Sequence, residues 1–375
     1  MTEKRIAQKR IEWPVALFLI INPLATLILM PIYFYFYGFE WDIALFALIF
    51  AAATNLSITA GYHRLFSHKS YDAHPVAKAL FLLIGASGFQ GSALKWGSDH
   101  RRHHSHIDSE KDPYNINEGF WYAHMGWLFF KDSVDQKIQA PDLEKDWMVK
   151  FQHDYYLPLS ILMGFGLPTL IGWMMGSPLG GFVIGGGLRI ALTQQSTFFV
   201  NSLCHTLGKQ TYSKEISARD SWFVAVLTHG EGYHNFHHKF QIDYRNGIKW
   251  YHWDPTKWVI KTLNLVGLAT KLRQISNVEI LKARLQAEAS EMKKHGFAED
   301  QLAAMREKII EAQNKMKKLR EDYEQFKRDA VRKREELKDA YDLKLAEIKR
   351  DLEVAHLEFQ MGMKLWQLHR KSVKF

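Results

Sequence analysis

His100-Arg-Arg-His103-His104 is the stretch on which the reading of this chain turns, and His234-Asn-Phe-His237-His238 repeats its spacing. A third group, His63-Arg-Leu-Phe-Ser-His68, precedes both, and His205 follows a long apolar run. These nine are half of the eighteen histidines in the chain. Positions i, i+3 and i+4 share one face of a helix, so the three imidazoles of a box can converge on a common point. His63 and His68 are five apart, ~140° around a regular helix, and converge only if the helix ends or unwinds between them. Neutral imidazole is the commonest protein ligand for a transition metal. One such ion takes about four to six ligands, so nine imidazoles point to two metals. Asp99, Asp112 and Glu231 stand close to the boxes, placed to orient ligand imidazoles from behind.

Working outward, apolar stretches separate the boxes. The 375 residues are 47% hydrophobic, 14% aromatic and 24% charged, with a net charge of +9. Apolar residues crowd before residue 210, and charge crowds after residue 275. Residues 14–37 are long enough to cross a hydrocarbon core of ~30 Å. Lys4, Arg5, Lys9 and Arg10 precede them, which argues for an uncleaved anchor with a cytoplasmic N-terminus. Residues 41–62 return the chain, and 155–175 with 179–203 form a second hairpin. Residues 76–96 are interrupted by Gly85, Gly88 and Gly91 and read as a buried or half-inserted helix. Four crossings then bring all nine histidines to one cytoplasmic mouth, with both termini on that side. The basic balance follows the spans and the lipid headgroups. No basic-aromatic motif argues for nucleic acid. Cys204 is the only cysteine, which excludes an intramolecular disulfide and a cysteine-based metal site.

The boxes, with Asn201-Ser-Leu-Cys-His205 and the stretches ITAGYHRLFSH, FQGSALKWGSDHRRHH, DPYNINEGFWYAHMGWLF and GEGYHNFHHKF, resemble the membrane-bound acyl-CoA Δ9 (stearoyl-CoA-type) desaturases. The resemblance covers about residues 14–265. It implies an all-α integral membrane protein, with four transmembrane helices and a cytoplasmic helical cap holding a di-iron site. His63, His68, His100, His103, His104, His205, His234, His237 and His238 would ligate two iron ions, and Asn201 would reach the metal through water. The implied reaction is O₂-dependent desaturation of a long-chain acyl thioester, most simply acyl-CoA, at Δ9. Gln90, Trp96 and Thr197 resemble residues that fix the bend of an acyl tunnel. Asp99 and Lys131 resemble contacts to coenzyme A. Gly91, Ser98 and Asp132 stand where animal members carry larger or basic contacts, so phospholipid or carrier-protein acyl groups stay open as substrates. Ala47 and Ala51, up the second span, would leave room at the tunnel floor. With no haem- or flavin-binding stretch read in the chain, a separate electron donor of ferredoxin, rubredoxin or cytochrome b5 type is expected.

Residues 276–375 stand outside the resemblance and form a second region after the membrane domain, 1–275. Leu302, Met305, Ile309, Ala312, Met316, Leu319, Tyr323, Phe326 and Ala330 follow alternating steps of three and four. After a shift the pattern resumes at Leu337, Tyr341, Leu345, Ile348, Leu352, Ala355 and Phe359. This heptad seam reads as a coiled coil or long helix of roughly 100 Å, through which chains could associate, or as a helix folded back on itself. Two other functions share some features. A lipid or alkane hydroxylase uses the same di-iron chemistry and differs in its product. A metal transporter would hold its ligands near the bilayer midplane.

Overall fold

The computed structural model describes residues 10–130, 140–332 and 338–372. The chain separates into two compact, mostly helical units: one runs to Gln274 with all the histidine boxes, and the other takes Ile275 onward together with the short stretch Thr211–Lys214. In the first unit, α1 (Trp13–Tyr37) and α2 (Trp41–Leu56) form a hairpin. Gly38 turns it at φ 72, a left-handed conformation that a side chain would strain. Large apolar side chains point outward along both helices: Leu27, Ile28 and Leu48 are each more than 60% exposed. Such a surface suits hydrocarbon and not water.

Among the described residues three helices are long and apolar enough to cross a membrane: Trp13–Tyr37, Trp41–Ser67 and α5 (Tyr156–Met174). The expected fourth span, 179–203, is helical from Pro178 through α6 (Arg189–Thr206) but does not join that group. Arg189, Gln194 and Gln195 interrupt its apolar run, and the first two of these are buried. The reason is interior pairing. The Arg189 guanidinium donates to the carbonyls of Gly185 at 2.8 Å, Ser87 at 3.1 Å and Gly164 at 3.1 Å, and lies over the Phe50 ring. The cation thereby fastens four segments of the bundle.

Residues 76–96 are not one half-inserted helix. They split into α3 (Pro75–Ala86) and the start of α4 (Ala93–His106), with the turn between them strained at Phe89, φ 52. Gln194 donates to the Phe89 carbonyl at 3.1 Å and secures that turn to α6. The Ser92 hydroxyl caps α4 by accepting from the Lys95 amide at 3.2 Å. A two-residue antiparallel pair, Asp72–Ala73 with Ala269–Thr270, ties the chain after the first box to the segment after α8 (Pro255–Leu265).

The second unit consists of α9 (Asn277–Lys294), α10 (Glu299–Arg332) and α11 (Lys338–Ser372). Phe326 meets Tyr341, Lys315 pairs with Glu358, and Phe297 meets His369. Descending partners for ascending residues mean that α10 and α11 are antiparallel. Of the readings that the seam left open, the helix folded back on itself is the one found: a hairpin with α9 packed on it, in place of one helix of ~100 Å. Leu302, Ile309, Ala312 and Met316 of the seam are buried within this unit, together with Leu285, Met292 and Trp366. An apolar seam requires only a complementary face, and here the same chain supplies it.

Candidate metal centre

The first box is presented by a π-helix. Beyond α2 the chain widens to π-helical geometry over Ser57–Ser67, and the His68 amide donates to the His63 carbonyl five residues back, at 3.1 Å. Hydrogen bonds of that period stack residues five apart on one face. His63 and His68 thus converge, ring centroids 4.8 Å apart, without the unwinding that a regular helix would need. π-helical turns are rare and concentrate at functional sites.

Four segments converge here: the π-helix, α4, the end of α6 and α7 (His234–Lys239). They bring the nine histidines into two groups. His63, His68, His100, His104 and His237 form one, and His103, His205, His234 and His238 the other, with ligand atoms in each group within 4.8 Å of one another. The boxes do not each converge on one point. In both triads the i, i+4 pair enters one group and the i+3 residue the other. His100 with His104 face one way and His103 the other; His234 with His238 face one way and His237 the other. The two groups touch where His104 stacks on His238, centroids 4.1 Å apart.

Nε2 atoms are the converging ones. His68 to His100 is 2.8 Å, His63 to His237 2.9 Å, His104 to His237 3.0 Å, His234 to His238 3.0 Å and His205 to His234 3.2 Å. Two nitrogens held at right angles ~2.1 Å from one ion are about 3 Å apart, so this spacing fits metal coordination. Burial, reinforced by neighbouring imidazoles, pushes His100, His104, His234, His237 and His238 well below the usual imidazole range. They are neutral and able to donate lone pairs. An all-imidazole set without thiolate suits iron, copper or zinc, and two such groups side by side could hold two ions.

The distal ring nitrogens are secured from behind. His63 Nδ1 pairs with Glu231 at 2.9 Å and His103 Nδ1 with Asp112 at 2.8 Å. The Glu231 carboxylate also accepts from Arg64 at 3.0 Å and Asn246 at 2.7 Å. Burial alone would raise it, but His63 and Arg64 outweigh that and hold it down at about 2. Asp99 takes no such part, because its oxygens accept from Lys95 at 2.8 Å and Arg102 at 3.5 Å. Three supports lay beyond the reach of spacing: Tyr114 against His100, Ser217 against His205, and Asp108 accepting from Ser217. They come from loops, which carry no periodic signal. Arg64 joins Glu231 to Asp254, and its place between His63 and His68 was the available hint.

An apolar cavity of about 510 Å³ opens beside the centre. Phe18, Leu19, Ile58, Phe89, Leu157 and Phe198 line it, and His63, His100, His103 and His234 border it. Gln90, Trp96, Thr197, Asp99 and Asn201 line it too. Gln90 donates to the Thr197 hydroxyl at 3.0 Å, and the Trp96 ring stacks on His100 with centroids 4.8 Å apart. The second span reaches the cavity through Asn55, Ile58 and Thr59. Ala47 is packed with Tyr33, Ile43 and Val183, while Ala51 is half-buried one turn before Asn55; neither lines the cavity. Lys131 lies outside the described residues.

The family model for fatty acid desaturases matches residues 39–265. The chain is 43% identical to acyl-CoA desaturase 1 of Saccharomyces cerevisiae over 256 residues, 68% of this chain and 50% of the yeast protein. It is 36% identical to stearoyl-CoA desaturase 5 of Bos taurus, covering 62% of this chain and 72% of the bovine one. It is 37% identical to a chloroplast palmitoyl-monogalactosyldiacylglycerol delta-7 desaturase of Arabidopsis thaliana, covering 60% of each. The chain spans about half the length of the Saccharomyces cerevisiae protein and of a probable acyl-CoA desaturase of Schizosaccharomyces pombe, to which it is 42% identical.

Proposed function

Because the chain belongs to the fatty acid desaturase family, we propose that it is a membrane acyl desaturase that inserts a double bond at Δ9 of a long-chain acyl thioester, most simply acyl-CoA. The observation that carries this reading is the apolar cavity bordered by histidines of both ligand groups. Two irons held by the nine histidines, with Asn201 through water, would supply the O₂-activating chemistry that no side chain provides. The balance is one CH₂–CH₂ unit, O₂, two electrons and two protons giving CH=CH and two waters. The electrons are assigned to a separate carrier of ferredoxin, rubredoxin or cytochrome b5 type.

The chain's own task is placement. Phe18, Ile58, Phe89 and Phe198 exclude water from the acyl chain, and the Gln90–Thr197 bond with the Trp96 ring fixes where it bends past His100. Asn55, which reaches the cavity from farther up the second span, closes it on that side. Lys95 with Asp99 stand at the cavity's polar wall, where a cation suits the phosphates of a head group. The topology that accommodates this is four spans, the fourth being the helix through Arg189, with the histidine cap and both termini cytoplasmic. A polar, internally paired helix of that kind is tolerated in a bilayer because its partners lie inside the bundle.

Expression in a desaturase-deficient host, with double-bond position read by mass spectrometry, tests the reading. A Δ9 alkene that vanishes in His103→Ala is expected. Folded, iron-loaded protein that yields no alkene would sink it, and an alcohol in its place would identify a hydroxylase. Feeding labelled acyl-CoA against labelled acyl lipid decides the carrier.

A further inference from the structure

The outer face of α11 carries an apolar stripe that nothing among the described residues of its own unit covers. Val354, Leu357, Met361, Leu365 and Leu368 are 46%, 57%, 65%, 52% and 54% exposed, while Ala355 and Trp366 on the opposite face are fully buried. At about 100° per residue all five lie within roughly 40° of Met361. The stripe is also symmetric in sequence about Met361: Leu357 and Leu365 are four residues either side, Val354 and Leu368 seven either side. Charge is antisymmetric about the same point. Residues 351–360 hold Asp351, Glu353 and Glu358 with no Lys or Arg, and residues 362–371 hold Lys364, Arg370 and Lys371 with no Asp or Glu.

We propose that this face is a homodimer interface in which α11 of one chain packs antiparallel on α11 of a second copy, with a two-fold axis at Met361. Antiparallel packing about that axis sets Leu357 against Leu365 of the copy and Val354 against Leu368. In such a pair like flanks meet. Glu353 and Lys371 both lie ~80° to the same side of the stripe, and the symmetry brings each within about 3 Å of axial register with the other's copy. The two ion pairs so formed favour this orientation, whereas a parallel pair would align acid with acid. Arg370 and Glu358 are engaged inside the chain, with Glu288 and Lys315. A lipid surface fits less well, since binding to it favours cations along the whole polar border, and half of this stripe is framed by carboxylates.

The test uses the full chain in membranes and a short bis-maleimide. Cys204 is buried, so the unmodified chain serves as the background control. Met361→Cys should give a covalent dimer, because the two copies meet at the axis. Leu343→Cys should not: it is 74% exposed on the same helix, but its copies would stand about 54 Å apart. Glu353→Lys added to Met361→Cys should lower dimer yield about five-fold, the effect of two like-charge pairs at a surface. Lys371→Glu added to both should restore it, which a folding defect would not permit. Equal cross-linking at 343 and 361, or none at 361, overturns the proposal. So does a fluorophore at 361 that enters an apolar lipid environment without any cross-link.

Discussion

Behind the candidate metal centre one buried carboxylate, Glu231, holds His63, Arg64 and Asn246 together. Glu231→Gln keeps its size but removes the anion facing His63 and Arg64. Iron affinity should fall about 10- to 100-fold, measured by competition with a chelator, with the fold retained. Unchanged affinity would show that His63 is oriented by other means. The imidazoles also set an acid limit. The folded pKa values of His100, His234 and His237 lie below the ~6.5 of an unfolded histidine, so in acid the unfolded chain binds more protons than the folded one. Stability is complete above ~6.5 and drains away as pH falls toward the depressed values. The melting temperature of the metal-free protein in detergent should therefore drop between about pH 7.5 and 5.5; a flat profile would contradict it. Residue types and spacing made the nine clustered histidines legible, and Asp112 and Glu231 behind them. Tyr114 and Ser217 were illegible, because their contacts depend on loops folding back from a distance.

At the level of elements, the π-helix and the Arg189 clamp are the structures that place the site. The five-residue spacing of His63 and His68 posed a problem that a regular helix could not solve, and the π-helical period removes it. Gly61 allows this segment to approach α3, since a Cβ there would stand 2.6 Å from that of Phe81. Gly61→Ala should cost about 1–3 kcal/mol by overpacking, read as a lower melting temperature and weaker iron retention. Arg189→Met should be at least as damaging, because it leaves the carbonyls of Ser87 and Gly164 without their buried donor. Each such orphan costs ~1–3 kcal/mol. If Arg189→Met melts with the parent protein, the clamp is not what fastens those segments. Hydropathy identified α1, α5 and the helix that begins with α2, each long and apolar enough to cross a membrane. It also took 179–203 for a crossing, but that run is broken by Arg189 and Gln194, buried polar groups satisfied by partners that the tertiary fold brings in.

For the whole molecule, the two units divide the labour. All nine histidines and the cavity lie in the unit that ends at Gln274. A chain terminated there should load iron and make alkene at half or more of the parent rate, while losing the dimer formed through α11. Loss of iron loading on truncation would show that the centre depends on the C-terminal unit. Local order along the chain was sufficient to single out the nine clustered histidines, three apolar helices and a C-terminal seam. Each of these is a matter of residue type and period within a few turns. The division of the histidines into groups of five and four was decided only in three dimensions. Every triad sends its i+3 residue to the other group, and no spacing says which distant imidazole will meet it. The seam was similarly open: its apolar period demands a covering face, and the chemistry is the same whether that face belongs to another chain or, as here, to the same one.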